Sequence, residues 1–148
     1  MSQDAVAVSD YIERAAITAY LGETSVATFT AKVLQRQAEL RAFLSVAAPV
    51  VVQWQYKVPE LGEGGACSLF GQLAEEPYDL TAILRGQSEH NQQALQTLSN
   101  IAAFYREHSG LDWFGIYQAR TNINAEPVLV KLAYYGAASR AEFPLNSE

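Results

Sequence analysis

Residues 111–145 read LDWFGIYQARTNINAEPVLVKLAYYGAASRAEFPL, and the fold turns on how this stretch pairs with itself. From Asp112 to Arg120 it is rich in the aromatic and β-branched residues that suit a pleated, half-buried surface. Gly115 within that run lets a neighbouring backbone or ligand approach closely. From Val128 to Tyr135 the residues alternate: Val128, Val130, Leu132 and Tyr134 share one face, and Leu129, Lys131, Ala133 and Tyr135 the other. Thr121, Asn122, Asn124 and Pro127 between the two runs supply turn chemistry. The stretch predicts an antiparallel hairpin.

Working outward, Ser88 is placed to cap a long helix that ends near His108, Ser109 and Gly110. Ala94, Leu98, Ile101 and Tyr105 line one face of it, with Leu95 and Ala102 alongside. A short helical turn is expected from Leu80 to Arg85, ending at Gly86. Further back, Val50, Val52, Trp54, Tyr56 and Val58 alternate with Val51, Gln53, Gln55 and Lys57, which predicts a strand ended by Pro59. Ala66 to Ala74 is a candidate return strand, weakened by Gly71. At the start of the chain, Asp4 or Ser9 is expected to cap a helix carrying Val8, Ile12, Ala15 and Ala19 on one face and stopped by Gly22. Thr24 or Ser25 then caps a second helix with a stripe of Val26, Phe29, Val33, Leu40 and Leu44, and a heptad reading of it fails at Gln37. The fold class expected is α+β.

Composition narrows the function. With 148 residues, 49% of them hydrophobic and 18% charged, the chain is long enough for a sizeable core and is globular in character. Acidic residues outnumber basic ones 16 to 10, and a net charge of −6 offers no electrostatic footprint for nucleic acid or an anionic membrane. The single cysteine, Cys67, excludes an internal disulfide and a cysteine-rich zinc site, and suits a reducing cytoplasm. The opening MSQDAVAVSD lacks the basic start of a secretory signal, and the longest apolar stretch, from Phe43 to Val52, is too short to span a bilayer.

The run Asp112-Trp113-Phe114-Gly115-Ile116-Tyr117 follows a long amphipathic helix and precedes a second strand that ends in Gly136. With Arg140 and Phe143-Pro144-Leu145 beyond, it resembles the opening of a GAF domain. Among GAF proteins it is most similar to the free methionine-R-sulfoxide reductase branch, whose first strand has a Trp-x-Gly-x-Tyr pattern like that of Trp113, Gly115 and Tyr117. In that branch a glycine, a cysteine and a proline follow the second strand at the spacing of Gly136, Arg140 and Pro144, so that Arg140 stands here in a cysteine's place. The resemblance covers roughly residues 88–145. Before it, where nothing is matched, the patterning predicts an N-terminal helical segment with a strand or hairpin over residues 1–80, and over 81–148 the resemblance implies a GAF-like domain that is incomplete at its C-terminus. A sheet left unfinished exposes an edge and an apolar face. A second copy, the strand from Val50 to Val58, or further sequence of a longer protein would cover it, and the last is the expectation.

Each candidate for chemistry has a plainer alternative. Cys67, beside a glycine-rich loop, is either a reactive thiol or a small buried hydrophobe. His90 and His108 lie near opposite ends of one helix, too far apart to share a metal through it. The loop Gly62-Glu63-Gly64-Gly65 lacks the lysine and hydroxyl of a phosphate loop. Glu60, Glu63, Glu75, Glu76 and Asp79 fit no EF-hand spacing and read as a solvated acidic surface. Trp113, Tyr117 and Tyr134, with Trp54 and Tyr135, either line an apolar ligand pocket or pack the core. Arg140 either binds a carboxylate or phosphate or makes a surface salt bridge with Glu142 or Glu126. The expected ligand-binding residues are thus Trp113, Tyr117, Tyr134 and Arg140, with no catalytic residue, metal or cofactor. The resemblance implies a non-enzymatic sensory or regulatory module, cytoplasmic and homodimeric, that binds a small molecule or a partner protein. A reductase-like enzyme and a dimerisation or interaction protein are the alternatives.

Overall fold

Ser2, Ser25 and Ser88 each accept, through the side-chain hydroxyl, a hydrogen bond of 3.1 Å from the backbone N–H three residues on, and each begins a helix. The computed structural model describes residues 2–62 and 72–146. The helices are α1 (Gln3–Arg14), α2 (Val26–Val46) and α4 (Glu89–His108), with the short α3 (Leu80–Leu84) capped by Asp79. Ser25 and Ser88 are caps expected from sequence. The first helix starts earlier than expected, at the cap Ser2, and it stops at Arg14 because Ala16 turns left-handed at φ 56° and leads into a 3-10 turn, Ile17–Tyr20.

The chain divides into two compact units, Met1–Ala47 and Ala48–Glu148. In the first, α1 and α2 pack together around Ile12 and Thr30. The second is α+β. Strands β3 (Phe114–Thr121) and β4 (Pro127–Tyr135) form the antiparallel hairpin, and β5 (Glu142–Pro144) pairs with the first half of β4, giving the order β3-β4-β5. At the hairpin tip, Asn122 Oδ1 accepts from the N–H groups of Asn124 at 2.9 Å and Glu126 at 3.0 Å. This local bonding is why asparagine serves in turns. α4 packs on β4 and β3.

Two strand expectations change. The run from Val50 to Val58 makes a ladder only at β1 (Gln55–Tyr56), which pairs with β2 (Tyr78–Asp79) in a separate two-stranded sheet. Its pairing then moves to other partners, with Glu60 N–H on the Gln72 carbonyl and Ala74 N–H on the Val58 carbonyl. The alternation nonetheless describes burial correctly, since Val52 and Tyr56 are buried and Trp54 and Val58 pack beside them. A period of two reports which side faces the core, and a ladder needs a neighbour as well. The run does not join the larger sheet, where β5 takes the edge of β4.

In β4 the two-face pattern breaks at a bulge. Ile116 pairs with Ala133 but Tyr117 pairs with Lys131, leaving Leu132 unmatched. The core-facing side chains therefore pass from Val128 and Val130 to Ala133 and Tyr135. Lys131, on the other face beside Tyr117, is buried as well.

The core of this unit joins Val52, Tyr56, Leu80, Ile83, Leu84, Leu95, Val128, Val130 and Ala141. Side chains from 52–58 and from the sheet thus share one interior within the unit that begins at Ala48. On α4 the buried residues are Leu95, Ala102 and Phe104, while Ala94 faces outward. Among the described residues no helix is long and apolar enough to cross a membrane.

Candidate ligand-binding site

Gly136 ends β4 at φ 102°, where a Cβ would meet the Asp112 carbonyl oxygen at 2.6 Å and Trp113 Cδ1 at 2.9 Å. Only glycine fits that turn without strain. The chain then runs from Ala137 to Ala141 and re-enters the sheet as β5. Four hydrogen bonds to its backbone carbonyls hold this segment from different directions: Trp113 Nε1 donates to the Ala137 carbonyl at 3.1 Å, Lys131 Nζ to the Ser139 carbonyl at 2.9 Å, Tyr117 hydroxyl to the Arg140 carbonyl at 3.4 Å, and Lys131 N–H to the Ala141 carbonyl at 2.8 Å.

Lys131 is the buried post of this arrangement. Its residue exposure is 0%, and its ammonium also donates to Ser139 Oγ at 2.7 Å while lying 3.9 Å from the centre of the Tyr134 ring and 4.8 Å from that of Tyr56. The ring faces supply the negative field that a carboxylate would otherwise provide. Desolvation pushes the amine down to about 8. Tyr56 donates to the Lys131 carbonyl at 2.7 Å, and its hydroxyl is pushed up, first by burial and then by the neighbouring tyrosines and Glu142. Burial also raises Tyr134, and it raises Tyr117 against an opposing hydrogen bond from Ser139.

Beyond this post lies a cavity of about 370 Å³, walled by Val58, Pro59, Leu61, Ala74, Val128, Ala141 and Pro144, with Tyr78, Arg140 and Glu142 as its polar groups. Glu142 is engaged at both oxygens. The Tyr78 hydroxyl donates to Oε1 and Asn122 Nδ2 donates to Oε2 at 3.2 Å. Burial, followed by this bond to Glu142, pushes the Tyr78 hydroxyl up. Arg140 donates from Nε to the Glu142 carbonyl at 3.1 Å, and its guanidinium carbon lies 5.1 Å from the centre of the Phe143 ring. The guanidinium is thus fixed by one nitrogen and one ring. Among the described residues, neither Glu142 nor Glu126 forms a salt bridge with it, and its terminal nitrogens have no hydrogen-bond partner. The surface ion pair expected as the alternative for Arg140 is replaced by a bond to a backbone carbonyl.

No protein-family model, curated protein or solved structure matches the chain. The chemistry therefore has to be read from the site itself.

Of the four residues expected from sequence, Arg140 lines the cavity. Tyr117 and Trp113 hold the segment that carries Arg140, and their rings are 6.4 Å apart. Tyr134 covers Lys131 and borders a wider hollow of about 530 Å³ shared with Tyr56, Leu73, Pro77 and Ala138. Lys131, Tyr78 and Glu142 were missed as site residues. A lysine inside the apolar run Val-Leu-Val-Lys-Leu-Ala was the available signal for the first, whereas the other two depend on contacts distant in sequence. Cys67 and the loop positions 63–65 lie outside the described residues. His90 is exposed in the first turn of α4, and His108 is exposed near its end, 3.8 Å from the Glu107 carboxylate. Among the described residues no three His, Cys, Asp or Glu side chains gather as a metal site would require.

Proposed function

We propose that this chain is a non-enzymatic regulatory module of GAF-like type that binds a small molecule in the cavity beside β5. The observation carrying this reading is a preformed apolar hollow of about 370 Å³ with a few converging polar groups, a size and character typical of small-molecule sites. The long helix α4 against the β3–β4 hairpin agrees with the GAF-like reading. The working setting is the reducing cytoplasm, which suits a single cysteine, and the expected assembly is a homodimer. Exposed Ile123, Phe143 and Leu145 offer apolar surface for a partner.

Native mass spectrometry of the purified full chain, set against its denatured mass, tests the proposal. A mass excess that disappears on denaturation is the expected result. A bare dimer that also fails to bind any compound in a small-molecule thermal-shift screen would move the function to protein interaction.

A further inference from the structure

We infer that the occupant of the cavity is an apolar monocarboxylate, its hydrocarbon body against Val58, Pro59, Leu61 and Val128 and its carboxylate on the terminal nitrogens of Arg140. This rests on the reading of the cavity as a ligand site. Three observations select the class. The wall is apolar over most of its extent, so the ligand has a hydrocarbon or aromatic body. The polar groups of the wall are unequally engaged: Glu142 already accepts from Tyr78 and Asn122, whereas Arg140 spends only Nε inside the protein. The opening left for a ligand is therefore a donor fork, which matches the two oxygens of a carboxylate.

The third observation concerns charge. Among the described residues that line the cavity Arg140 is the only cation, and the Glu142 carboxylate shares the wall. The described charges of the wall cancel, so a monocarboxylate leaves one negative charge unbalanced and a phosphate near its dianionic form leaves two, which ranks the carboxylate ahead of the phosphate. The fork is also organised before any ligand arrives, because Nε is bonded to the Glu142 carbonyl, Phe143 lies beside the guanidinium and Tyr117 holds the Arg140 carbonyl. Little side-chain freedom remains to be lost on binding.

Isothermal titration of the full chain with octanoate, octanol, octylamine and octyl phosphate reads the class directly. Octanoate is expected to bind tightest, with octanol weaker by roughly tenfold to a hundredfold, the usual range for losing a charge-assisted hydrogen-bonded contact. Arg140→Gln should reduce octanoate binding by a similar factor and leave octanol unchanged. Ala74→Leu, which narrows the cavity without touching its charge, should weaken both probes together.

Equal binding of octanoate and octanol, tighter binding of octylamine or octyl phosphate, or an Arg140→Gln variant indifferent to octanoate would each overturn the carboxylate and leave the cavity a ligand site. A neutral or cationic species released from the native protein would do the same. If no probe binds and no species is released, both the ligand class and the small-molecule reading fall.

Discussion

Lys131 brings a positive charge to a position with no exposed surface and no carboxylate partner among the described residues. Its amine is held down to about 8, against 10.5 in the free side chain. A folded value below the unfolded one means that the unfolded chain binds the extra proton between the two, so the charge penalises the fold fully below about pH 8. That penalty is relieved as the pH rises toward 10.5. Above about pH 10 the raised hydroxyls of Tyr56 and Tyr78 act in the opposite direction, because their ionisation favours the unfolded chain. Urea unfolding at about pH 7.5 and about pH 9.5 should therefore show the protein more stable at the higher pH, by about 2 kcal/mol from this one group. The gain should vanish in Lys131→Met, and a lower midpoint at the higher pH would contradict the account. At this scale the sequence was partly legible. Arg140 stood out by its place after Gly136, but the alternation that set Lys131 opposite Val128 and Val130 gave no sign that its face was closed over by Tyr56 and the 137–141 segment.

Among the elements, α4 depends on a cap that can be tested alone. Ser88 satisfies the Asn91 N–H, and the Asn91 side chain in turn donates to the carbonyls of Leu84 at 3.0 Å and Gly86 at 3.1 Å, tying the end of α3 to the start of α4. Ser88→Ala should cost about 1 kcal/mol, and Ser88→Asp should recover most of it, both read from chemical denaturation. No loss in the alanine variant would mean that water replaces the cap. Caps of this kind are legible because they depend on a few consecutive residues, as Ser25 and Ser88 show. Ser2 was overlooked because Asp4 and Ser9 offered the same chemistry nearby. The bulge at Leu132 and the short ladder of β1 were illegible for a different reason, since both depend on which strand lies alongside.

Across the whole molecule, the change from a period of 3.6 to a period of two made the α+β class legible, whereas membership of a core spanning Val52 to Ala141 was not. That core lies wholly within the second unit. Residues 48–148 expressed alone should consequently unfold in one cooperative transition and keep the rise in stability between about pH 8 and pH 10. A molten, non-cooperative product would show that the first unit is required. Residues 1–47 alone should be largely unfolded by circular dichroism, because a chain that short buries too little surface to hold two helices in place.

The indole of Trp113 lies across Gly115, where a Cβ would come within 2.4 Å of it, and it is tethered through Nε1 to Ala137, three residues before Arg140. The residue is 36% exposed, at the border between water and the sheet. Its emission maximum and quantum yield therefore depend on where the 137–141 backbone sits, and a ligand that pulls on Arg140 pulls on the same backbone. The protein carries its own optical gauge of that segment, with Trp54, half-buried against the core, as an internal reference.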